Sequence, residues 1–332
     1  MSIDKPFTTY EDQIEKLKSK DLVILDEEYA INLLKDVGYF SLISGYKKPF
    51  KMKDDKKKYI KGTKLEDIYA LYTFDEELRF IMLKYILIVE RKIKNLLAYS
   101  FVSEYGADQE AYLEKSNYDY RDKNIERIDK LYDILKNIVE NPDEHNYIKH
   151  QYENHHNIPL WVTVKAMTFG NISRMYSLCM QKVQMAVSKE FPTLYPNDLI
   201  SMLDVLSRFR NVCAHNERLY NFKLSKKAIP KKYIHQRLIK KDNKGRPVSG
   251  RQDLMAVLII LKYTLPQNSF ESLVQELKMC MDNLHNATTR IQKDSLLKEM
   301  GFPQNWEEIV ELPLTEPTTA PNKIIKKVTI SD

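Results

Sequence analysis

Between Asp75 and Ser103 the chain carries a ladder of apolar residues at helical spacing, and this constrains its fold more than any other feature. Leu78, Ile81, Tyr85 and Ile88 recur every three or four residues, joined by Leu83, Ile86, Leu87, Ile93 and Leu97. That period is the mark of an α-helix with a buried face and is foreign to the alternation of a strand. Glu90 stands in the ladder, four residues after Ile86 and three before Ile93. A carboxylate on an apolar stripe needs a cation or hydrogen-bond donors. A buried salt bridge to an arginine is the plain expectation, and it gains functional meaning if that arginine is Arg210.

The rest of the chain also reads as helical. Only 8 of 332 residues are glycine, while 43% are hydrophobic, enough for a substantial core. Residues 8–38 hold two helices, with Thr9 or Asp12 and then Asp26 as caps and Gly38 closing the second. A short helix or turn follows over 39–46, then a loop over 47–64 with nine lysines against two aspartates. Residues 107–141 read as helical and amphipathic, and 143–158 as a His- and Asn-rich loop. Residues 161–180 form one helix or a pair broken near Gly170-Asn171, and 183–191 a short helix. The helix from Leu199 to about Ala214 is followed by two more, over 253–264 and 270–298. The expectation is an all-α protein with an accessory helical and basic region over 1–65, a helical domain over 66–310, and a disordered tail over 311–332.

Several function classes drop out. Cys179, Cys213 and Cys280 are too widely spaced for a disulfide framework or a cysteine metal site, and a reducing cytoplasm is expected. His145, His150, His155 and His156 lack the spacing of a helical zinc site. There is no GxxxxGK[ST], GxGxxG or GxSxG. No membrane span or secretory leader is expected: Phe80–Val89 is interrupted by Lys84 and reads as a buried helix, and Met1–Tyr10 has no apolar core.

What remains is Arg210-Asn211-Val212-Cys213-Ala214-His215, at the end of a helix. Histidine exchanges a proton near neutral pH, and arginine offers phosphate a planar fork of donors. RNA carries its own nucleophile, the 2′-hydroxyl, so positioning, proton transfer and charge stabilisation suffice to cut it without a metal. By helical geometry Asn211 and His215 share a face, with Arg208 on the same stripe and Arg218 three residues further on. Arg210 lies about 140° away from His215. Either the helix ends near His215 or a second copy of the motif completes the site. Taken alone, an Arg and a His on a helix are more often a surface pair than a catalytic one.

Eight residues on, the chain turns basic. From Lys223 to Arg251 there are eleven Lys/Arg and one acid, a charge of +10 against +6 for the whole chain, so the remainder sums to −4 (6 − 10). Such a run points to a polyanion. The candidate RNA-binding residues are Lys226, Lys227, Lys231, Lys232, Arg237, Lys240, Lys241, Lys244, Arg246 and Arg251, with Arg208 and Arg218 on the motif's flanks.

The ordered set of motifs resembles the Abi-like family of bacterial abortive-infection proteins, of the AbiD/AbiF type, within the HEPN superfamily. The likeness rests on Arg210-Asn211-Val212-Cys213-Ala214-His215-Asn216-Glu217-Arg218-Leu219-Tyr220, with the HEPN hallmark of Arg, four to six residues, then His. It is joined by Tyr39–Tyr46, Gly62-Thr63, Tyr72–Asp75 with Leu78-Arg79, Glu90-Arg91, Pro159–Trp161, Thr168–Ser173, and Gly301–Pro303 with Trp306. It spans roughly residues 10–308. The resemblance implies an all-α HEPN bundle with the basic stretch inserted after the motif helix, an RNA partner, a homodimer and a role in phage defence in the bacterial cytoplasm. By position it makes Arg210, Asn211 and His215 catalytic and Glu90 their supporting acid, with no metal or other cofactor. HEPN proteins modified by a partner nucleotidyltransferase carry Tyr two residues after the motif His; Glu217 stands there in this chain. The expected activity is endoribonucleolytic, leaving 2′,3′-cyclic phosphate ends. The alternative is a non-catalytic module that stably binds a structured small noncoding RNA, and a third reading is a protein scaffold whose basic segment docks an acidic partner.

Overall fold

The computed structural model describes residues 7–317, and among them there is no strand, only isolated bridges such as Lys51–Tyr59. The chain is all-α. Helix α1 (Tyr10–Lys18) starts with a reciprocal cap: the Asp12 amide donates to Thr9 Oγ1 and the Thr9 amide to the Asp12 carboxylate. Asp26 caps α2 (Glu27–Val37) by accepting from the Tyr29 amide. A π-helical turn, Phe40–Ser44, and a 3-10 turn, Lys48–Phe50, lead into the lysine-rich loop, which is pinned to the core by Phe50 and Tyr59.

Helix α3 (Leu65–Tyr105) is 41 residues long and begins ten residues before the expected start. The ladder extends backwards through buried Leu65, Ile68 and Leu71, and Asp67 caps the new end by accepting from the Lys64 amide. The stretch expected to be buried is not wholly so: Phe80 is 68% and Leu87 42% exposed.

The stretch expected to be helical over 107–141 holds two helices, α4 (Gln109–Leu113) and α5 (Ile125–Glu140), separated by 3-10 turns. Asn117 and Asn124 cause the break by donating their side-chain amides to the Ala111 and Asp119 carbonyls, the competition that disfavours asparagine inside helices. Conversely, the loop expected over 143–158 contains α6 (Asn146–His155). There Ile148 packs with Ile158 and Val162 in a small satellite cluster against Ile138 and Val139, and tertiary burial overrides weak propensity. Helices α7 (Leu160–Ala166) and α8 (Phe169–Leu178) divide at Met167-Thr168, because Thr168 Oγ1 caps α8 through the Asn171 amide.

Helix α9 (Gln181–Ser188) precedes α10 (Pro196–Ala214), which opens with proline at its first position and Asp198 accepting from the Tyr195 amide. Inside the basic segment lies one short helix, α11 (Tyr233–Leu238). Every residue of α12 (Leu254–Thr264) is buried, as a helix apolar on all sides requires; truncating Leu258 to alanine there would cost about 2–5 kcal/mol. The last helical run breaks into α13 (Gln267–Ala287) and α14 (Lys293–Met300), where Thr288 Oγ1 donates to Asp67 and accepts from the Arg290 amide. Gly301 ends α14 at φ 81°, and a Cβ there would lie 2.5 Å from the Asp253 carboxylate that caps α12, so only glycine fits.

Helix α3 is the spine, packed against α13, α10, α7, α9 and α12. One continuous core runs from Ile14 to Ile309 and spans the division expected at residue 65. Of the tail, residues 311–317 are irregular, and the Leu314 carbonyl accepts from Tyr263; the expectation for 318–332 lies outside the described residues. Among the described residues no helix is long and apolar enough to cross a membrane.

Candidate functional site

Helix α10 ends as it does because of Asn216. The His215 amide donates to the Asn211 carbonyl, Asn216 turns left-handed at φ 57°, and the Glu217 amide reaches back to the Val212 carbonyl at 3.0 Å. This is a Schellman closure with asparagine as the left-handed residue. His215 is therefore the C-cap, exposed, and its imidazole makes no hydrogen bond to any described residue. Arg210, five residues earlier, faces α3. Its Nε lies 3.4 Å from Glu90 Oε2, and Lys94 Nζ lies 3.0 Å from Oε1. Glu90 is almost fully buried and Arg210 is 30% exposed, so the carboxylate holds the inner edge of the guanidinium while the outer part meets solvent. At 3.4 Å the contact is an ion pair without an aligned hydrogen bond. No hydrogen bond joins the Arg210 and His215 side chains among the described residues.

The segment after the motif is clamped from below. Asp75, fully buried on α3, accepts from Tyr46 Oη at 2.7 Å, Arg79 Nη1 at 2.8 Å, the Leu219 amide at 2.9 Å and the Tyr220 amide at 2.6 Å. Burial pushes the Asp75 carboxyl up, and these donors pull it back. Arg79 also approaches the Glu217 carbonyl, and its Nη2 is buried without a hydrogen-bond partner among the described residues. On the outer side Arg218 donates to the Gly45 carbonyl. The stretch 210–220 thus divides in two: Asn211, His215, Asn216, Glu217 and Arg218 face solvent, and Val212, Cys213, Leu219 and Tyr220 face the core. Burial pushes the Cys213 thiol up to about 12, so it stays protonated and is no nucleophile.

Asn211 and Arg208 line a polar cleft of about 390 Å³ between α8 and α10. In the basic segment, Lys226, Lys231, Arg237, Lys240, Lys241 and Lys244 are exposed and make no ion pair among the described residues. The other candidates there are engaged. Lys232 is nearly buried on Asp198 at 2.6 Å, Lys227 sits on Asp204, Arg246 on Asp242, and Arg251 Nε donates to the Ile229 carbonyl. Arg208 also pairs with Asp204. His235, within the same segment, is buried in the core, with Nδ1 accepting from the Lys232 amide and Nε2 bonded to the Gly250 carbonyl at 2.7 Å. His150 and His155 lie on α6, and no group of three metal-ligating side chains is gathered among the described residues.

Sequence reasoning missed the Tyr46–Asp75–Arg79 clamp, although a charged pair four residues apart inside an apolar ladder was the same anomaly that drew attention to Glu90. It also missed Arg127 and Arg174, which carry no signal until α5 and α8 are placed beside α10.

The family model described as Abi-like protein matches residues 32–221. The chain belongs to the Abi-like protein family. The matched span holds Glu90, the Asp75 clamp and the whole motif, and it stops just before the basic segment. It is shorter than the 10–308 over which the motif resemblance extends. Comparison of this Abi-like protein with curated proteins and with solved structures returns no match. Family membership suggests a part in abortive infection, a form of phage defence.

Proposed function

We propose that this Abi-like protein is a HEPN-type endoribonuclease of the bacterial cytoplasm that cuts RNA during abortive infection, with a site built from two copies of the chain. The observation that carries the reading is the pairing of Arg210 with a buried Glu90 on the neighbouring helix, five residues before an exposed His215 whose imidazole has no hydrogen-bond partner among the described residues. A carboxylate that fixes an arginine yet leaves part of it in solvent suits a phosphate clamp.

In the reaction the 2′-oxygen attacks the adjacent phosphorus while the bond to O5′ breaks. One group takes the 2′-hydroxyl proton and another delivers a proton to O5′, leaving a 2′,3′-cyclic phosphate and a 5′-hydroxyl. Arg210 holds the non-bridging oxygens and Asn211 orients the phosphate or the imidazole. His215 performs one proton transfer and the partner copy's motif histidine the other. The dimer is favoured by Phe80, Leu83 and Leu87, an incompletely buried apolar stripe on the face of α3 that leads to Glu90.

The test is cleavage of end-labelled single-stranded RNA by the purified chain in EDTA. Fragments ending in cyclic phosphate are expected. Tight RNA binding without cutting would instead favour a non-catalytic module that holds a structured small RNA; on that side stands the observation that no side chain among the described residues hydrogen-bonds the His215 imidazole.

A further inference from the structure

The cleft between α8 and α10 has a composition that the motif does not explain. Arg127 from α5, Arg174 from α8, Arg208 from α10 and Lys227 from the basic segment all line it, against a single carboxylate, Asp204. Asp204 is taken up by Arg208 Nε at 3.2 Å and Lys227 Nζ at 3.1 Å. Arg127 is held by neutral acceptors only, donating to Ser177 Oγ at 2.8 Å and Asn124 Oδ1 at 3.3 Å. Arg174 is half-buried and makes no side-chain hydrogen bond or ion pair among the described residues. Its guanidinium nitrogens reach solvent and have no protein acceptor among the described residues, so its donors are open to an anion in the cleft.

Two further features favour an anion. Gly170 and Asn171, in the first turn of α8, line the same cleft; the Asn171 amide is taken by Thr168 Oγ1, the Gly170 amide has no intrahelical acceptor, and the helix end is positive. Asn211 lines the cleft as well, so its floor runs into the motif. Four cations against one acid leave the cleft with a charge of +3 (4 − 1).

We infer that this cleft is a phosphate subsite for the RNA strand, holding a backbone phosphate flanking the one at the motif, with Arg174 as its central ligand and Arg127 beside it. The inference rests on the RNA reading above. It places the strand along the α8–α10 groove rather than only over the exposed lysines of 223–251.

Binding of a fluorescein-labelled, 2′-O-methylated single-stranded RNA tests it, since that RNA lacks the nucleophile and cannot be consumed. Anisotropy is followed at several salt concentrations for the full chain, Arg174→Ala and Arg174→Lys, with thermal melts to show that each is folded. Arg174→Ala is expected to bind about tenfold more weakly. Its log Kd against log salt slope should fall by about 0.7, the loss of one phosphate contact. Arg174→Lys keeps the charge and should keep the slope. Wild-type affinity and slope in Arg174→Ala would overturn the subsite while leaving the RNA reading in place. No binding by the unaltered chain would overturn both.

Discussion

Asp75 is the residue on which the motif's surroundings most depend. Its carboxylate takes four donors, two of them backbone amides of the segment that follows His215. Replacing it with alanine would strand the Arg79 guanidinium, already 3% exposed and short of one partner. Removing one member of a buried ion pair costs about 3–5 kcal/mol, so denaturant unfolding of Asp75→Ala should show a loss of that order. A loss below about 1 kcal/mol, as at a surface site, would mean that the clamp is dispensable. Glu90 belongs to the same class of anomaly, a charge inside an apolar ladder, and that anomaly is legible in sequence. Its partner was only one possibility in sequence, because the approach of α10 to α3 is a tertiary fact. Arg174 was invisible for the same reason: nothing in Thr168–Ser177 tells which helix faces it.

At the level of elements, helices with a strong ladder or an explicit cap were readable: α1, α2, α10 and α12 lie close to their expected bounds. The errors fall where local polarity misleads. Helix α6 is rich in His and Asn yet folds around Ile148, and α4 and α5 are split by asparagines that bond to nearby carbonyls. Helix α11 carries a pH dependence of its own. His235 is buried, its Nδ1 accepts from the Lys232 amide, and burial lowers its pKa below the usual 6.5. In the window between that lowered pKa and 6.5 the unfolded chain binds the extra proton and the folded chain does not, so stability falls as pH falls through the window. Thermal melts of the unaltered chain at pH 7.5 and 5.5 should therefore show a larger drop than those of His235→Leu, which is less stable at pH 7.5 but lacks the titrating group. Equal drops would show that His235 does not carry the effect.

At the scale of the whole molecule, the fold carries two cationic features, the α8–α10 cleft, which Asn211 of the motif also lines, and the exposed lysines of the basic segment. The all-α class was legible from spacing and scarce glycine, but the path between these features was not, because it depends on how Lys227 and Lys232 tie the segment to α10. The exposed Phe80 and Leu87 make an interface prediction. Phe80→Glu with Leu87→Glu should turn a dimer into a monomer in sedimentation and abolish cleavage, and an unchanged dimer would exclude this face of α3. The central claim is narrower: His215, five residues after an Arg210 paired with Glu90, moves a proton during RNA cleavage. The single-turnover cleavage rate in EDTA for the unaltered chain and His215→Ala tests it most directly. The account predicts a fall of roughly 10²–10⁴-fold with RNA affinity kept. Cleavage by His215→Ala at the unaltered rate would contradict it.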